Sequence, residues 1–126
     1  MDKQITILYV DDEDINLFLF ERSFSSTYKV ITANSGEEGL KKLEQSAHDI
    51  IVVITDMRMP GMDGIEFIRK AKEKFSNIAY YVLTAFNHSV EIDKAVEDKL
   101  IDKFFTKPFD IEIIKAEVAR IASKIV

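Results

Sequence analysis

The chain has 126 residues, of which 47% are hydrophobic, so its length and composition fit one domain with a substantial apolar core. Its net charge of -5 argues against a nucleic-acid surface, because binding to the phosphate backbone needs clustered lysine and arginine. The absence of cysteine excludes disulfides and thiol chemistry and fits a reducing cytoplasm. No apolar stretch approaches the ~20 residues that span a bilayer, so a soluble cytoplasmic protein without membrane contact is expected.

Short apolar runs alternate along the chain with longer segments of helical period. The predicted strands are Ile5–Val10, Tyr28–Ala33, Ile50–Thr55, Ala79–Thr84 and Ile101–Phe105. The predicted helices are Asp14–Ser25, Ser35–Ser46, Asp63–Phe75, Ser89–Glu97 and Asp110–Lys124. The strands lack strict polar alternation, which indicates a parallel sheet covered on both faces. The pattern therefore predicts five consecutive strand–helix units in a single α/β domain over residues 1–126.

Capping residues stand at several predicted helix starts. Asp63 and Asp110 are predicted N-caps, and Ser35 with Glu38 three residues later matches a capping box. The last helix also has an apolar stripe at spacings of three and four, formed by Ile111, Ile114, Val118 and Ile121. These local signals agree with the strand–helix alternation.

Polar side chains mark the ends of four predicted strands. Asp11 and Asp12 follow the first strand, Asp56 follows the third, Thr84 ends the fourth and Lys107 follows the fifth. Ligands of open parallel sheets bind at the carboxyl ends of the strands, so we expect these groups to converge. Neighbouring carboxylates repel one another unless a cation lies among them, and Mg²⁺ prefers oxygen ligands and substrate phosphate. The pattern predicts a site for phosphate and a divalent metal.

The segment after Asp56 reads MRMPGMDG, a loop interrupted by one proline and two glycines. Such a loop can hold irregular backbone near a ligand and offer a carbonyl oxygen to a metal. A carboxylate there can act as a nucleophile, although an isolated aspartate could equally cap a turn. Lys107 offers a point charge to phosphoryl oxygens, and Pro108 can fix the turn, in one reading through a cis bond.

The sequence resembles the receiver domains of bacterial two-component response regulators. The resemblance rests on ILYVDDE at the first strand, VVITDMRMPGMDG at the third, VLTA at the fourth and FFTKPF at the fifth. It covers nearly the whole chain and is specific because the four segments occur together. It implies a flavodoxin-like (βα)5 fold with a parallel sheet in strand order 2-1-3-4-5.

The resemblance also implies a role for each matched residue. Asp56 would be the phosphoacceptor that attacks a phosphohistidine on a sensor histidine kinase or a histidine phosphotransfer protein. Lys107 would bind the phosphoryl group, and Thr84 would hydrogen-bond to it once it is attached. Mg²⁺ would be held by Asp11, Asp12, Asp56 and the backbone carbonyl of Arg58.

Three further residues are expected to shape switching and timing. Phe104, three residues before the lysine, would be the aromatic switch residue that moves as Thr84 moves, or else a plain core phenylalanine. Phe105 points to the other side of the strand and is expected to pack. Arg58 lies two residues after Asp56, and Phe86 lies two residues after Thr84. Both are bulkier than many residues at the matching positions of the family and are expected to slow hydrolysis of the phosphoryl group. The alternative places Arg58 in solvent and Phe86 against the fourth helix.

The first predicted helix carries more apolar residues than one buried face needs. The residues predicted to face the sheet are Asn16, Leu19, Phe20 and Phe24, and those predicted to face outward are Ile15, Phe18 and Arg22. The resemblance implies that this helix meets the helical phosphohistidine domain of the kinase. Ile15 and Phe18 are therefore predicted to form that contact, unless they are buried against the last helix.

Three functional hypotheses follow. The preferred one is a phosphorylatable signalling switch, free-standing or separate from an output domain, which supports its own phosphorylation and autodephosphorylation without being a dedicated enzyme. A phosphatase of the haloacid-dehalogenase type would want Asp-x-Asp, whereas the chain reads Asp11-Asp12-Glu13. The third is a receiver-like binding module without phosphorylation. Expected partners are the kinase or phosphotransfer protein, an unknown downstream protein and a second copy in a phosphorylation-dependent dimer.

Overall fold

The computed structural model describes residues 4–85 and 89–125 of the chain. Over these residues, strands and helices alternate: β1 Thr6–Val10, α1 Asp14–Phe24, β2 Lys29–Ala33, α2 Gly36–Ser46, β3 Ile50–Asp56, α3 Gly64–Lys74, β4 Ala79–Thr84, α4 Val90–Glu97, β5 Lys103–Thr106 and α5 Ile111–Ile125. The predicted order of five strand–helix units is confirmed. None of the described helices is long and apolar enough to cross a membrane.

The strands form one parallel sheet in the order β2-β1-β3-β4-β5, as predicted. Val10 pairs with Thr55, and Asp56 pairs with Leu83. At the far side, Thr84 pairs with Thr106. These registers align the carboxyl ends of β1, β3, β4 and β5 at a common edge, where the predicted site residues follow.

The sheet separates two apolar cores, because alternate residues of a strand point to opposite faces. The core that packs on α2, α3 and α4 includes Leu8, Val10, Val53, Tyr80 and Val82. The core that packs on α1 and α5 includes Ile7, Tyr9, Ile54, Tyr81 and Leu83. The buried strands of a two-sided sheet explain why their sequences lack polar alternation.

Strand β5 begins two residues later than predicted, at Lys103 instead of Ile101. Ile101 is only 2% exposed, so its apolar character reflects burial in the core and not strand pairing. The first backbone contact of this segment with β4 is at Asp102, whose N–H donates to the Tyr80 carbonyl at 2.8 Å. An apolar run cannot distinguish a strand residue from a buried residue that leads into a strand.

The capping predictions are confirmed, with one difference. Asp63 and Asp110 accept backbone N–H groups at the starts of α3 and α5. Ser35 Oγ accepts the Glu38 N–H at 3.0 Å, but the Glu38 carboxylate accepts the N–H of Asn34 and not that of Ser35. The capping box of α2 therefore reaches one residue further back than the usual reciprocal pair.

Helix α1 is oriented differently from the prediction at one position. Phe20 and Phe24 are buried and Leu17 packs against the same core, so these residues form the inward stripe at helical spacing. Leu19 was expected to face the sheet, and this was wrong, because its side chain lies beside that stripe and is 47% exposed. Phe18 is 55% exposed, as expected, with the Arg22 guanidinium 5.8 Å from its ring centroid.

We expect Phe20→Ala to lower the free energy of unfolding by about 3–5 kcal/mol, because it removes a fully buried ring and leaves a cavity. Phe18→Ala should cost no more than ~1 kcal/mol, since it removes only an exposed ring and a cation–π contact. Urea unfolding followed by circular dichroism measures both values. Equal losses in the two variants would contradict the described orientation of α1.

Candidate functional site

Three carboxylates meet at the carboxyl edge of the sheet. Asp56 ends β3 and is 8% exposed, while Asp11 follows β1 and is fully buried. Asp12 is exposed. One carboxylate oxygen from each of these residues lies within 4.8 Å of the others. The structure thus brings together the three aspartates that the sequence placed at one site.

Lys107, which follows β5 at the same edge of the sheet, bridges two of these carboxylates. Its Nζ lies 3.3 Å from Asp11 Oδ2 and 3.2 Å from Asp56 Oδ1. Its backbone N–H donates to the Thr84 carbonyl at 2.8 Å, which ties the end of β5 to the end of β4. The Lys107–Pro108 peptide bond is cis, in line with one reading of the sequence.

Thr84 and Phe104 lie on the neighbouring strands. Thr84 is 2% exposed and stands one residue beyond Leu83, the register partner of Asp56. Phe104 is half-buried and packs against the core on the α3 and α4 side, whereas Phe105 belongs to the core on the α1 and α5 side. The predicted opposite orientation of the two phenylalanines is confirmed.

The site is electrostatically strained around Asp56. Burial, followed by the neighbouring Asp11 carboxylate, raises the pKa of Asp56, although Lys107 and the Met57 N–H act in the opposite direction. For Lys107, burial disfavours the charge, but the two carboxylates outweigh it and raise the pKa of the ammonium. One ammonium therefore only partly offsets the negative charge of the aspartates.

The carboxylate cluster fits a hard dication. Mg²⁺ binds a small number of carboxylates and completes its shell with water and phosphate oxygens. The cluster offers oxygen ligands within 4.8 Å of one another, and exposed Asp12 lets water reach it. The upward pKa shift of Asp56, caused in part by Asp11, indicates negative charge that a cation would relieve.

The loop after β3 approaches Asp56 closely. The Gly64 N–H donates to the Met57 carbonyl at 2.8 Å, which draws the start of α3 against the end of β3. A Cβ atom on Gly64 would meet the Asp56 backbone carbonyl oxygen, so any larger residue would displace this strand end. Arg58 lies in the same loop with an exposed side chain. Phe86, the other residue predicted to affect timing, lies outside the described residues.

Tyr9 is a site residue that the sequence analysis missed. Its hydroxyl donates to Asp11 Oδ2 at 2.7 Å, and the Glu13 N–H donates to Asp11 Oδ1 at 3.0 Å. Burial and this hydrogen bond raise the pKa of Tyr9, so its hydroxyl remains a donor at neutral pH. The available signal was its position two residues before Asp11, since side chains two apart on a strand share a face.

The fold and the site define a doubly wound α/β protein with an acidic, lysine-bridged site at the carboxyl edge of its sheet. The family model for the response regulator receiver domain matches residues 7–119. The chain therefore belongs to the response regulator receiver domain family. It is a receiver domain of two-component signalling, and phosphoryl acceptance fits this class.

Known relatives support the assignment. The chain is 38% identical over 117 residues to the alkaline phosphatase synthesis transcriptional regulatory protein PhoP of Bacillus subtilis, covering 91% of this chain and 47% of PhoP. It thus spans about half the length of that relative. It is 33% identical to sporulation initiation phosphotransferase F of the same organism, covering 90% of both chains. A receiver domain structure from Clostridium thermocellum superposes with a TM-score of 0.84 at 26% identity, covering 94% of each chain.

The raised pKa of Asp56 predicts how the free energy of unfolding depends on pH. An unfolded aspartate loses its proton near pH ~3.9, whereas folded Asp56 holds its proton to higher pH. The stability contributed by protonated Asp56 is therefore lost as the pH rises through the folded-state pKa. Asp56→Asn should be at least as stable as the wild type at pH 7 without divalent metal, and this advantage should shrink toward pH 4.

Urea unfolding between pH 4 and 7.5 in the presence of a chelator measures this difference. Asp98→Asn is a suitable control, because Asp98 is an exposed residue whose carboxylate forms a surface ion pair with Lys94. A clearly lower stability of Asp56→Asn at pH 7 would show that the site charges do not oppose folding.

Proposed function

We propose that this receiver domain is a phosphorylation-activated switch in a two-component system or phosphorelay, with Asp56 as its phosphoacceptor. The observation that supports this role is the contact of Asp56 with the Lys107 ammonium, which also contacts Asp11 of the same carboxylate cluster. Each position that the family resemblance matched is occupied by a suitable residue. The phosphatase and the phosphorylation-deficient module are not favoured.

The chemical step is a nucleophilic displacement at phosphorus. An Asp56 carboxylate oxygen forms the new O–P bond while the N–P bond of the donor phosphohistidine breaks, and its electron pair returns to the imidazole nitrogen. Lys107 lies 3.2 Å from Asp56 Oδ1 and can donate to an oxygen of the arriving phosphoryl group with little movement. The chain thus positions the nucleophile and a compensating charge, and needs no acid–base residue of its own.

Mg²⁺ would be held by Asp11, Asp12, Asp56 and the backbone carbonyl of Arg58. When bound, it supplies positive charge to the phosphoryl oxygens during transfer. Asp12 is the exposed member and keeps the cluster open to solvent, while Asp11 is held in place by the Tyr9 hydroxyl and the Glu13 N–H.

Thr84 and Phe104 would convert phosphorylation into a change of surface. The Thr84 hydroxyl would hydrogen-bond to the phosphoryl group, and its backbone is already joined to Lys107. Phe104 lies in register with Val82, on the strand next to Thr84, and is only half-buried. An inward movement that accompanies Thr84 would therefore bury the part of the ring that is now exposed.

The exposed face of α1 would receive the phosphodonor. Ile15 and Phe18 are 59% and 55% exposed and lie just after the acidic residues that follow β1. Leu19, at 47% exposed, widens this apolar face and borders a cavity of about 370 Å³ that Lys107 and Pro108 also line. An apolar helix of a phosphohistidine domain that packs here would lie beside the Lys107 end of the acidic site.

Incubation with Mg²⁺ and acetyl phosphate tests the phosphoacceptor. The wild type should gain an acid-labile ~80 Da adduct, the mass of one phosphoryl group, and Asp56→Asn should gain none because its amide is not a nucleophile. Intact-mass and peptide mass spectrometry measure and locate the adduct. Asp98→Asn should label like the wild type. Stoichiometric labelling of Asp56→Asn would overturn the assignment.

The docking role of α1 is tested by comparing two donors. Phe18→Ala should slow transfer from the phosphorylated partner about tenfold or more, as expected for a residue at the centre of an interface. Labelling by acetyl phosphate should be unchanged, because Phe18 does not touch the carboxylates. Val90→Ala, which alters an 83% exposed apolar residue on α4, is the matched control. Equal losses with both donors would mean a folding defect and not a docking role.

Arg58 and Phe86 are proposed to prolong the phosphorylated state. A guanidinium can pair with phosphoryl oxygens, and a wide apolar ring can hinder a water that approaches phosphorus in line. Arg58→Asn and Phe86→Ala should each speed dephosphorylation up to about tenfold, which requires a barrier change of only ~1.4 kcal/mol. Decay of the phosphorylated form, measured in both variants and in their combination, checks this. Unchanged rates in all three would remove both residues from the timing mechanism.

A further inference from the structure

The Tyr9 hydroxyl has an unusual partner for a core tyrosine. Tyr80 donates to the Phe75 backbone carbonyl and Tyr81 donates to Glu117, and neither acceptor belongs to the acidic site. Tyr9, by contrast, donates at 2.7 Å to Asp11, a carboxylate of the predicted metal site. A buried tyrosine needs some hydrogen-bond partner, so the identity of this partner is the informative feature.

The tyrosine ring is held firmly in place. Tyr9 is 1% exposed, and its ring stacks on Phe20 with a centroid separation of 4.1 Å and an interplanar angle of 12°. Phe20 is itself fully buried and contacts Phe24 and Phe109. The position of the hydroxyl is therefore set by packing before any ligand binds.

Asp11 is held through both of its oxygens. The Tyr9 hydroxyl and the Lys107 ammonium reach Oδ2, while the Glu13 N–H reaches Oδ1. The two contacts to Oδ2 differ in permanence. Lys107 is shared with Asp56, and a phosphoryl group on Asp56 would draw the ammonium toward its higher negative charge. The hydroxyl has no such second acceptor in its described contacts and would stay on Asp11.

We propose that Tyr9 is a positioning residue for the metal site: its hydroxyl orients the Asp11 carboxylate toward the cation and keeps Oδ2 hydrogen-bonded when Lys107 moves to the phosphoryl group. The inference rests on the proposed function, because it assigns Asp11 to a Mg²⁺ site. Partners that orient metal ligands commonly affect metal affinity about 10–100-fold. Tyr9 acts through Asp11 and touches no reacting atom itself.

The test is Mg²⁺ binding to Tyr9→Phe, which keeps the ring and removes only the hydroxyl. Isothermal titration calorimetry on the unphosphorylated protein should show Mg²⁺ affinity about tenfold weaker than in the wild type. With acetyl phosphate, the Mg²⁺ concentration for half-maximal labelling should rise by a similar factor, while the rate at saturating Mg²⁺ should fall less. Unchanged or tighter Mg²⁺ binding would overturn the proposal.

Tyr81→Phe provides the matched control. Tyr81 is also a fully buried tyrosine whose hydroxyl donates to a carboxylate, at 3.1 Å to Glu117. Glu117 keeps charged partners when that hydroxyl is lost, with Lys103 Nζ at 2.8 Å and Arg120 at 3.0 Å, just as Asp11 keeps Lys107. The Tyr81→Phe variant should bind Mg²⁺ like the wild type. An equal loss of affinity in both variants would assign the effect to general packing and overturn the positioning role.

A measurement on the wild type covers the case in which Tyr9→Phe folds poorly. In protein with ¹³C-labelled tyrosine, the Cζ resonance of Tyr9 should shift as Mg²⁺ is added. The Mg²⁺ concentration at half of the full shift should agree with the dissociation constant from calorimetry, and the Tyr81 resonance should not shift. A Tyr9 resonance that does not respond would overturn the proposal. If the wild type does not bind Mg²⁺, the proposed metal site is overturned as well. If the wild type binds Mg²⁺ but neither the Tyr9→Phe affinity nor the Tyr9 resonance changes, only the role of Tyr9 is removed.

Discussion

The ion pair of Lys107 with Asp11 and Asp56 is the interaction on which the site depends. Two carboxylates with little exposure repel each other, and the ammonium between them offsets part of that repulsion. The offset is incomplete, since the pKa of Asp56 remains raised by burial and by Asp11. A site with residual negative charge and a lysine ammonium beside the carboxylates is suited to accept a dication and then a phosphoryl group.

The fold brings these groups together because four strands end at the same edge of the sheet. Parallel pairing places the end of β3 between those of β1 and β4, and the link from Lys107 to Thr84 adds the end of β5. The costs of burying two charged aspartates oppose folding. The cores on both faces of the sheet supply the apolar burial that offsets these costs.

Most of the fold and the centre of the site could be predicted from sequence, because strand-end polar residues in a parallel sheet must share an edge. The strand order came from the family resemblance and not from periodicity. Leu19 was misplaced because it lies at the boundary of the buried stripe. In a helix with this many apolar residues, a small rotation about the helix axis gives an almost equally apolar inward face. The start of β5 was misplaced because Ile101 is apolar and buried, and in sequence such a residue looks the same as a residue of the strand. Tyr9 was missed because a tyrosine in a strand normally indicates core packing, and the acceptor that its hydroxyl reaches is set by the tertiary structure.

The aromatic part of the second core connects these observations. Phe109 follows the Lys107–Pro108 turn and packs on Phe20 and Phe24 of α1, with ring centroids 5.5 and 5.6 Å apart. Phe20 in turn stacks on Tyr9, which bonds to Asp11. The segments that carry the carboxylate and the ammonium therefore both pack on one aromatic cluster. Since α1 presents its opposite face to solvent, the helix proposed to receive the phosphodonor is also the helix whose buried face supports the geometry of the site.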